Sequence, residues 1–571
     1  MPRRLEARGS SGGSKLLVYL QCYFVTIATI LGTGILGLPV TLTQAGIYPF
    51  LISFITSTLM QVLLIFYFTD LLQRAIALQR NPNQDELVPL QDMEDDSDDE
   101  IFSKQGTEVS GGRHSQGIAL AVESGGDNSI CPPNLHLLGE LFLCCGVRQA
   151  FDIMVILQFI ALLICYSLAG SEAFAQLVGI SHVYVIPGFV WILTVAVVFA
   201  LKLIQPVVSV LTFLKGSLLL GTTIVTFYVG VSVGREISND FKYLGEPFLM
   251  GTVALGGIIN TMPFIYEKIE FNATQIKRYR LSVLMGLITC SLLNILWCWA
   301  VLDIVPQTVA MACVRSQPDV AMETVQSTQS TTGPVIDAVS EVCTGDLSLE
   351  SAAKHGEIST LPLTKILQRD YPHFKWVAFL VELFIVISIT VSYLTIGTAL
   401  HHTLSGWVES NWSKDSFAKF IPKFRNPDTC SCISGKWLCT VITSMLAFVL
   451  VFTVAMLDPQ GFVEILEKFA SFTLNAQAGI FVFLMLLRSR NKENRSLDLA
   501  LPLPEWLCHL QFLLPLYFGF AVVYDIYRTI YSLVEDHGVS TVTLLNLTST
   551  TTSTASLTDA SYNFTSPQTP S

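Results

Sequence analysis

The chain has 571 residues, of which 51% are apolar and only 14% charged, with a mean hydropathy of +0.54. A soluble protein of ordinary composition carries about a quarter charged residues, so the composition excludes an ordinary soluble domain and specifies a polytopic membrane protein. The formal charge of −12 is concentrated in one acidic block at 92–100. Lys and Arg fall in short clusters between apolar runs, with no basic stripe interleaved with aromatics, which excludes a nucleic-acid binder.

A hydrocarbon core of about 30 Å needs roughly 20 apolar residues per helix. Eleven runs meet that requirement: 17–46, 48–73, 150–178, 183–203, 206–232, 247–269, 281–304, 375–403, 437–457, 462–487 and 506–533. The first is too long, and runs too directly into the second, for a cleaved signal peptide. The resulting division is a cytosolic tail at 1–15, two helices in 16–79, an acidic Gly/Ser-rich loop at 80–134, five helices in 135–305, a polar loop at 306–374, four helices in 375–533 and a Ser/Thr-rich tail at 534–571. The loop at 80–134 has the composition of a disordered segment and is a candidate docking site for a cytosolic partner. Residues 135–145 read as a short helix at the membrane interface.

Lys and Arg orient the spans. With the N-terminus in the cytosol, 23 of the 33 lie in cytosolic segments, seven lie outside, and three (Lys215, Lys468 and Arg528) fall in or at the ends of spans. An odd number of spans then puts the C-terminus outside the cytosol. The tail agrees, since it lacks Lys and Arg after Arg528 and carries the sequons of Asn546 and Asn563, which matter only on the lumenal side. Cys313 and Cys343 share the polar loop on that oxidising side, where a disulfide between them is expected. Plasma membrane and endolysosomal membrane both fit this topology.

Four segments carry residues able to do chemistry in a bilayer. The first span is interrupted by Gly32-Thr33-Gly34 and then Pro39. Broken backbone is tolerated at membrane depth only where it faces protein or a polar cavity, and the half-helix beginning there points its positive end at the gap. The alternative is a small-residue packing face. The sixth span places Gly256-Gly257 before Asn260-Thr261-Met262-Pro263, which reads either as a second break or as a kinked helix with a satisfied Asn. Two broken helices five spans apart are the mark of inverted repeats. Lys215 lies about ten residues into the fifth span. A lysine at that depth is costly unless paired or neutral and is by default functional, which suits a proton carrier. Snorkelling to the interface is the competing reading. The eighth span holds Ser388, Thr390 and Ser392, whose hydroxyls serve either as ion ligands or as donors to the carbonyl one turn back. No HExxH, GxSxG, Walker or Rossmann pattern occurs, and nothing calls for a metal or a cofactor, so the chain does not read as an enzyme.

Ile30-Leu-Gly-Thr-Gly-Ile-Leu-Gly-Leu-Pro39, followed by Gln44-Ala45-Gly46, resembles the first helix of the amino acid/auxin permease family, a branch of the amino acid-polyamine-organocation superfamily. Thr390-Val-Ser-Tyr-Leu-Thr-Ile-Gly397 is similar to its eighth helix, and Asp458-Pro-Gln-Gly-Phe462 to the approach to its tenth. The resemblance covers most of the spans but neither long loop nor the tail. It implies an all-α fold of eleven helices like the bacterial leucine transporter, with a 5+5 inverted repeat and broken helices 1 and 6.

Carried over, Gly32, Thr33 and Gly34 would hold a substrate carboxylate. Gly256, Gly257, Asn260 and the adjoining Thr261 would line the rest of the substrate. Sodium in that family sits between helices 1 and 8 on adjacent hydroxyls, but the matching pair here is Val391-Ser392, one ligand short. In some proton-coupled relatives a fifth-helix lysine replaces the sodium, and Lys215 would take that part beside Ser388, Thr390 and Ser392. The resulting expectation is a secondary transporter of amino acids or similar zwitterions working by alternating access, proton-coupled or sodium-independent. A sensor of the same fold, signalling through residues 80–134, is the alternative.

Overall fold

The computed structural model describes residues 12–32, 34–80, 133–308, 347–356, 358–412, 435–457, 465–491, 497–531 and 534. The described residues are helical and contain ten helices long and apolar enough to cross a membrane, or eleven when a bent pair counts as one. The protein is an all-α, multi-pass integral membrane protein. Thr33, the loop holding Cys313 and Cys343, the Asp458 motif and the sequons Asn546 and Asn563 lie outside the described residues.

The bent pair is α1 (Gly12–Ile30) and α2 (Gly34–Thr41), whose axes differ by 40°. There follow α3 (Ile47–Arg80), a short α4 (Leu135–Phe142), α5 (Cys145–Val178), α6 (His182–Phe199) and α7 (Leu201–Val233). The second half begins with α8 (Gly245–Gly256) and α9 (Ile258–Tyr266), then α10 (Ala273–Ile304). Two short helices, α11 (Leu349–Lys354) and α12 (Thr360–Arg369), precede α13 (Lys375–Trp412) and α14 (Gly435–Leu457). The last spans are α15 (Lys468–Ser489), which opens from a π-helical turn at Leu466–Ala470 and holds a second at Gln477–Phe481, and α16 (Glu505–Tyr531). The short α4 follows the acidic loop and is capped by Asn134, whose Oδ1 accepts from the Leu137 amide at 2.7 Å.

The packing repeats between the halves. α3 packs on α8 as α10 packs on α1, and α2 packs on α8 as α9 packs on α1. α7 lies against α10, α13 and α1, while α15 lies against α3, α5 and α8. The pairs α5 with α14 and α13 with α6 complete the correspondence. Five spans is an odd number, so the second set enters the membrane inverted relative to the first, with α16 left as the extra helix.

Burial follows the same plan. The apolar window of the α8–α9 span is 83% buried and that of α5 is 78%, against 33% for α6, α14 and α16. Ile192, Val195, Leu446, Leu516 and Val523 are exposed, as lipid-facing side chains should be. The centre of the bundle is therefore the two interrupted spans, enclosed by α3, α5, α10, α13 and α15.

The segment between α10 and α13 reaches back to that centre. Ser359, which precedes α12, is fully buried and donates its hydroxyl to the Leu36 carbonyl of α2 at 2.8 Å. Gln307 holds two turns together: its Nε2 donates to the carbonyls of Leu42 and Thr43, each at 3.3 Å, and its Oε1 accepts from the Ser238 amide at 2.8 Å.

Candidate functional site

The helix break is real at the first span and small at the sixth. The last turn of α1 closes with the Leu31 amide on the Ile27 carbonyl at 3.0 Å, and α2 starts at Gly34. All eight residues of α2, Pro39 among them, are buried. The sixth span is interrupted by Gly257 alone, in a near-helical conformation with φ −59° and ψ −11°, and the two half-helices pass as a single span. The second break expected in the sixth span is thus present, as a one-residue turn at Gly257. The reason is local: a glycine pair followed by Ile258-Ile259 can tighten one turn, with the Asn260 amide on the Gly257 carbonyl at 3.3 Å, without losing the helix axis.

Gly32 is required by close approach. A Cβ there would collide with the Tyr166 hydroxyl of α5 and lie 2.9 Å from Ser392 Oγ of α13. Gly34 is required for the same reason, since its Cβ would come within 2.5 Å of Ala254 Cβ on α8. Gly256 faces Leu474 of α15, and Gly257 faces Thr29 of α1. Three residues beyond Gly257, Asn260 is 7% exposed with both amide atoms unpartnered. Thr261 turns its hydroxyl back to the Ile258 carbonyl at 3.2 Å.

Lys215 is 1% exposed. Its Nζ donates to the Ala28 carbonyl of α1 at 2.8 Å, to Ser392 Oγ at 2.8 Å and to the Ser388 carbonyl at 3.3 Å. The snorkelling alternative is excluded, because every one of these partners lies within the bundle. Ala28 stands two residues from the end of α1, where helix carbonyls lack amide partners. The break therefore frees an acceptor, and the lysine occupies it. An ammonium donating to two backbone carbonyls and a hydroxyl has the ligand set of a small monovalent cation.

The eighth-span hydroxyls divide. Ser392 Oγ accepts from Lys215, whereas Ser388 meets the lysine through its carbonyl and donates its hydroxyl to the Leu31 carbonyl at 3.5 Å. Thr390 donates to the Val386 carbonyl at 2.7 Å. It therefore follows the self-bonding alternative and stays out of the cluster.

Gly32, Lys215, Ser388 and Ser392 are thus brought together from three segments, with Gly34, Gly256, Gly257 and Asn260 around the adjoining turn. Tyr166 completes this group and was not anticipated. It sits in the uniformly apolar run of α5, and only its placement beside Gly32 distinguishes it from a core tyrosine. On the other side of the α10–α13 segment, Lys365, Gln368, Arg369 and Lys375 line an open hollow of 680 Å³. There the Arg369 guanidinium, at 2.7 Å, holds the Asp370 carboxyl below the usual carboxylate range.

No family model matches this sequence, and no curated protein matches it. Among solved structures, the chain is similar to a manganese transporter of Eremococcus coleocola in complex with an aromatic bis-isothiourea substituted compound. The identity is 11%, the match covers 91% of this chain and 87% of that one, and the TM-score is 0.47. Two mutants of the same transporter match at 11% identity and a TM-score of 0.46, covering 91% of this chain and 88% of theirs.

Proposed function

We propose that this protein is a secondary transporter of amino acids or closely similar small zwitterions, of the amino acid/auxin permease kind, coupled to protons or independent of sodium. One observation carries the reading: the Lys215 ammonium takes the place of a cation between α1 and α13, bonded to Ala28, Ser388 and Ser392. A fixed cation there removes the need for sodium. A lysine that can release its proton turns the same contact into a coupling device, because the neutral amine gives up one donor and the charge that holds α1 to α13.

The substrate reading rests on the adjoining break. The amides at the start of α2 carry the positive end of that half-helix, and the Tyr166 hydroxyl stands beside Gly32. A carboxylate meets both. The unpartnered Asn260 amide on the next element offers an acceptor for an ammonium group. α1, α2, α8 and α9 would then move as a unit against α5, α6, α13 and α14.

Uptake of radiolabelled amino acids into proteoliposomes, with and without an imposed pH gradient and in sodium-free buffer, tests the proposal. Accumulation that follows the pH gradient supports it. Binding without any uptake would leave a non-transporting receptor, and strict sodium dependence would remove the role given to Lys215.

A further inference from the structure

A second polar cluster lies at the other end of α3, on the side that the Lys and Arg bias assigns to the cytosol. Asp70 is fully buried there. Its Oδ2 accepts from Arg74 Nε at 3.0 Å and from Arg490 Nη2 at 3.2 Å. Arg74 Nη1 also donates to the Ser489 carbonyl at 3.0 Å, and Arg490 Nη1 to Gln511 Oε1 at 2.8 Å.

A third guanidinium, that of Arg280 on α10, stacks 4.8 Å from the ring of Phe66, one turn from Asp70. Arg280 is 8% exposed, and its Nε and Nη2 have no hydrogen-bond partner. Arg490 Nε and the hydroxyl of Tyr266, which is 1% exposed, are likewise buried and unpartnered. Tyr266 packs edge-on against Tyr279, the neighbour of Arg280, with ring centroids 5.2 Å apart.

The charges do not balance. Two guanidiniums contact Asp70, the one carboxylate that the described residues pair with them, and the third, that of Arg280, stacks one turn away on Phe66 with no carboxylate partner among the described residues. An uncompensated buried cation is strongly destabilising, and buried donors are normally satisfied. Here the unsatisfied donors are of one kind: the Nε and Nη2 fork of an arginine, a second arginine Nε and a phenol. A planar two-donor edge is the group that recognises phosphate and carboxylate in bidentate fashion. Asp70 Oδ1 is the complementary feature, a buried acceptor without a donor.

We propose that this cluster binds a phosphoryl anion, either free phosphate or the phosphomonoester of a lipid headgroup. The anion oxygens take the free edge of Arg280, Arg490 Nε and the Tyr266 hydroxyl, and the acidic P–OH of the monoprotonated form donates to Asp70 Oδ1. Basic recesses between helices on the cytosolic side are the usual receptors for such headgroups. The bound anion would tie α9 and α10 to α3 and α15. It would therefore hold closed the end of the bundle opposite α12. None of this depends on what the central site carries.

The test is thermal unfolding of the purified full chain in nanodiscs of neutral lipid, followed by tryptophan fluorescence. Three additions are compared at matched ionic strength: inorganic phosphate, sulfate, and short-chain phosphatidylinositol 4-phosphate with unphosphorylated phosphatidylinositol as its control. Binding to the folded state alone raises the midpoint by mass action. The expected result is a saturable rise of about 2 °C or more with a phosphomonoester, absent with unphosphorylated lipid and smaller with sulfate, which has no proton for Asp70. A rise with inorganic phosphate identifies a soluble anion as sufficient, and a rise with the phosphorylated lipid alone identifies the headgroup.

Arg280→Gln is expected to abolish the shift. Arg280→Lys, which keeps the charge but not the fork, is expected to weaken binding about tenfold. Asp70→Asn is expected to erase the preference for phosphate over sulfate. No shift with either inorganic phosphate or the phosphorylated lipid, or an equal shift in wild type and both Arg280 variants, overturns the proposal.

Discussion

Lys215 Nζ on α7 lies 2.8 Å from the carbonyl oxygen of Ala28, 187 positions earlier in the chain. That single contact joins the end of the first half-helix to the scaffold, and Ser392 Oγ at 2.8 Å extends it to α13. Lys215→Met keeps the length and apolar stem but leaves both acceptors without a donor. Each buried group so stranded costs about 1–3 kcal/mol, so the variant is expected to unfold at a lower temperature yet still insert. In proteoliposomes its uptake is expected to lose the response to an imposed pH gradient. A pH response equal to wild type would show that the proton is carried elsewhere.

Gly32 and Tyr166 are a matched pair. Gly32→Ala puts a methyl group into the Tyr166 hydroxyl and against Ser392, and overpacking of this kind costs typically about 1–3 kcal/mol. Uptake is expected to fall at least about tenfold, because the methyl occupies the space beside the freed backbone; every 1.4 kcal/mol at that position is about a factor of ten. Tyr166→Phe removes the oxygen that the methyl meets. The double variant is therefore expected to recover part of the lost stability, as neighbouring substitutions couple. Strict additivity in a thermal-unfolding cycle would show that the two do not meet.

The interruption at Gly32 and the depth of Lys215 were legible in the sequence because both break a rule that holds for lipid-facing helix. A glycine pair in an apolar run and a lysine ten residues from a span end each conflict with local expectation, and such conflicts mark functional positions. Tyr166 broke no rule, since an aromatic in an apolar helix is ordinary. The Asp70, Arg280 and Arg490 cluster was hidden for a different reason: its members lie on three helices hundreds of residues apart, each near a span end where a charge is unremarkable. At the sixth span the break itself was legible but its extent was not. Gly256-Gly257 permits unwinding but does not require it, and the packing of Leu474 on Gly256 favours keeping the helix. Thr390 was equally ambiguous, because a helical threonine can serve a ligand or its own backbone, and only the rotamer decides.

Ser359 and Leu36 connect the segment before α13 to α2 across 323 positions, at 2.8 Å and fully buried. Ser359→Ala removes one net hydrogen bond, worth about 0.5–1.5 kcal/mol. The Leu36 carbonyl retains the helical geometry of α2, so the loss is expected to appear locally. Amide hydrogen exchange should accelerate within α11 and α12 and not within α5 or α13. A uniform acceleration across the bundle would argue that this contact supports the whole fold and does not tether one segment.

Asn475 on α15 reaches Thr252 on α8, with Nδ2 donating to Thr252 Oγ1 at 2.9 Å and to Ser471 Oγ at 3.1 Å. Both partners of the inter-helix bond are fully buried, and it lies one turn from the contact of Leu474 with Gly256. α15 thereby holds the first half of the sixth span at the level of its turn. Asn475→Leu alone leaves the Thr252 hydroxyl to its bond with the Leu249 carbonyl at 2.7 Å and removes the link, for an expected loss of about 1–2 kcal/mol. Thr252→Val alone leaves the Asn475 amide only its bond to Ser471 Oγ at 3.1 Å and is expected to cost about the same. With both substituted, two apolar side chains face each other and the Asn475 amide is no longer left short of a partner, so the double variant is expected to cost less than the sum of the two single changes. Its uptake should nevertheless fall further, because the contact that fixes the position of α8 is gone. Equal stability of all three variants in thermal unfolding would mean that α8 and α15 are held by apolar packing alone.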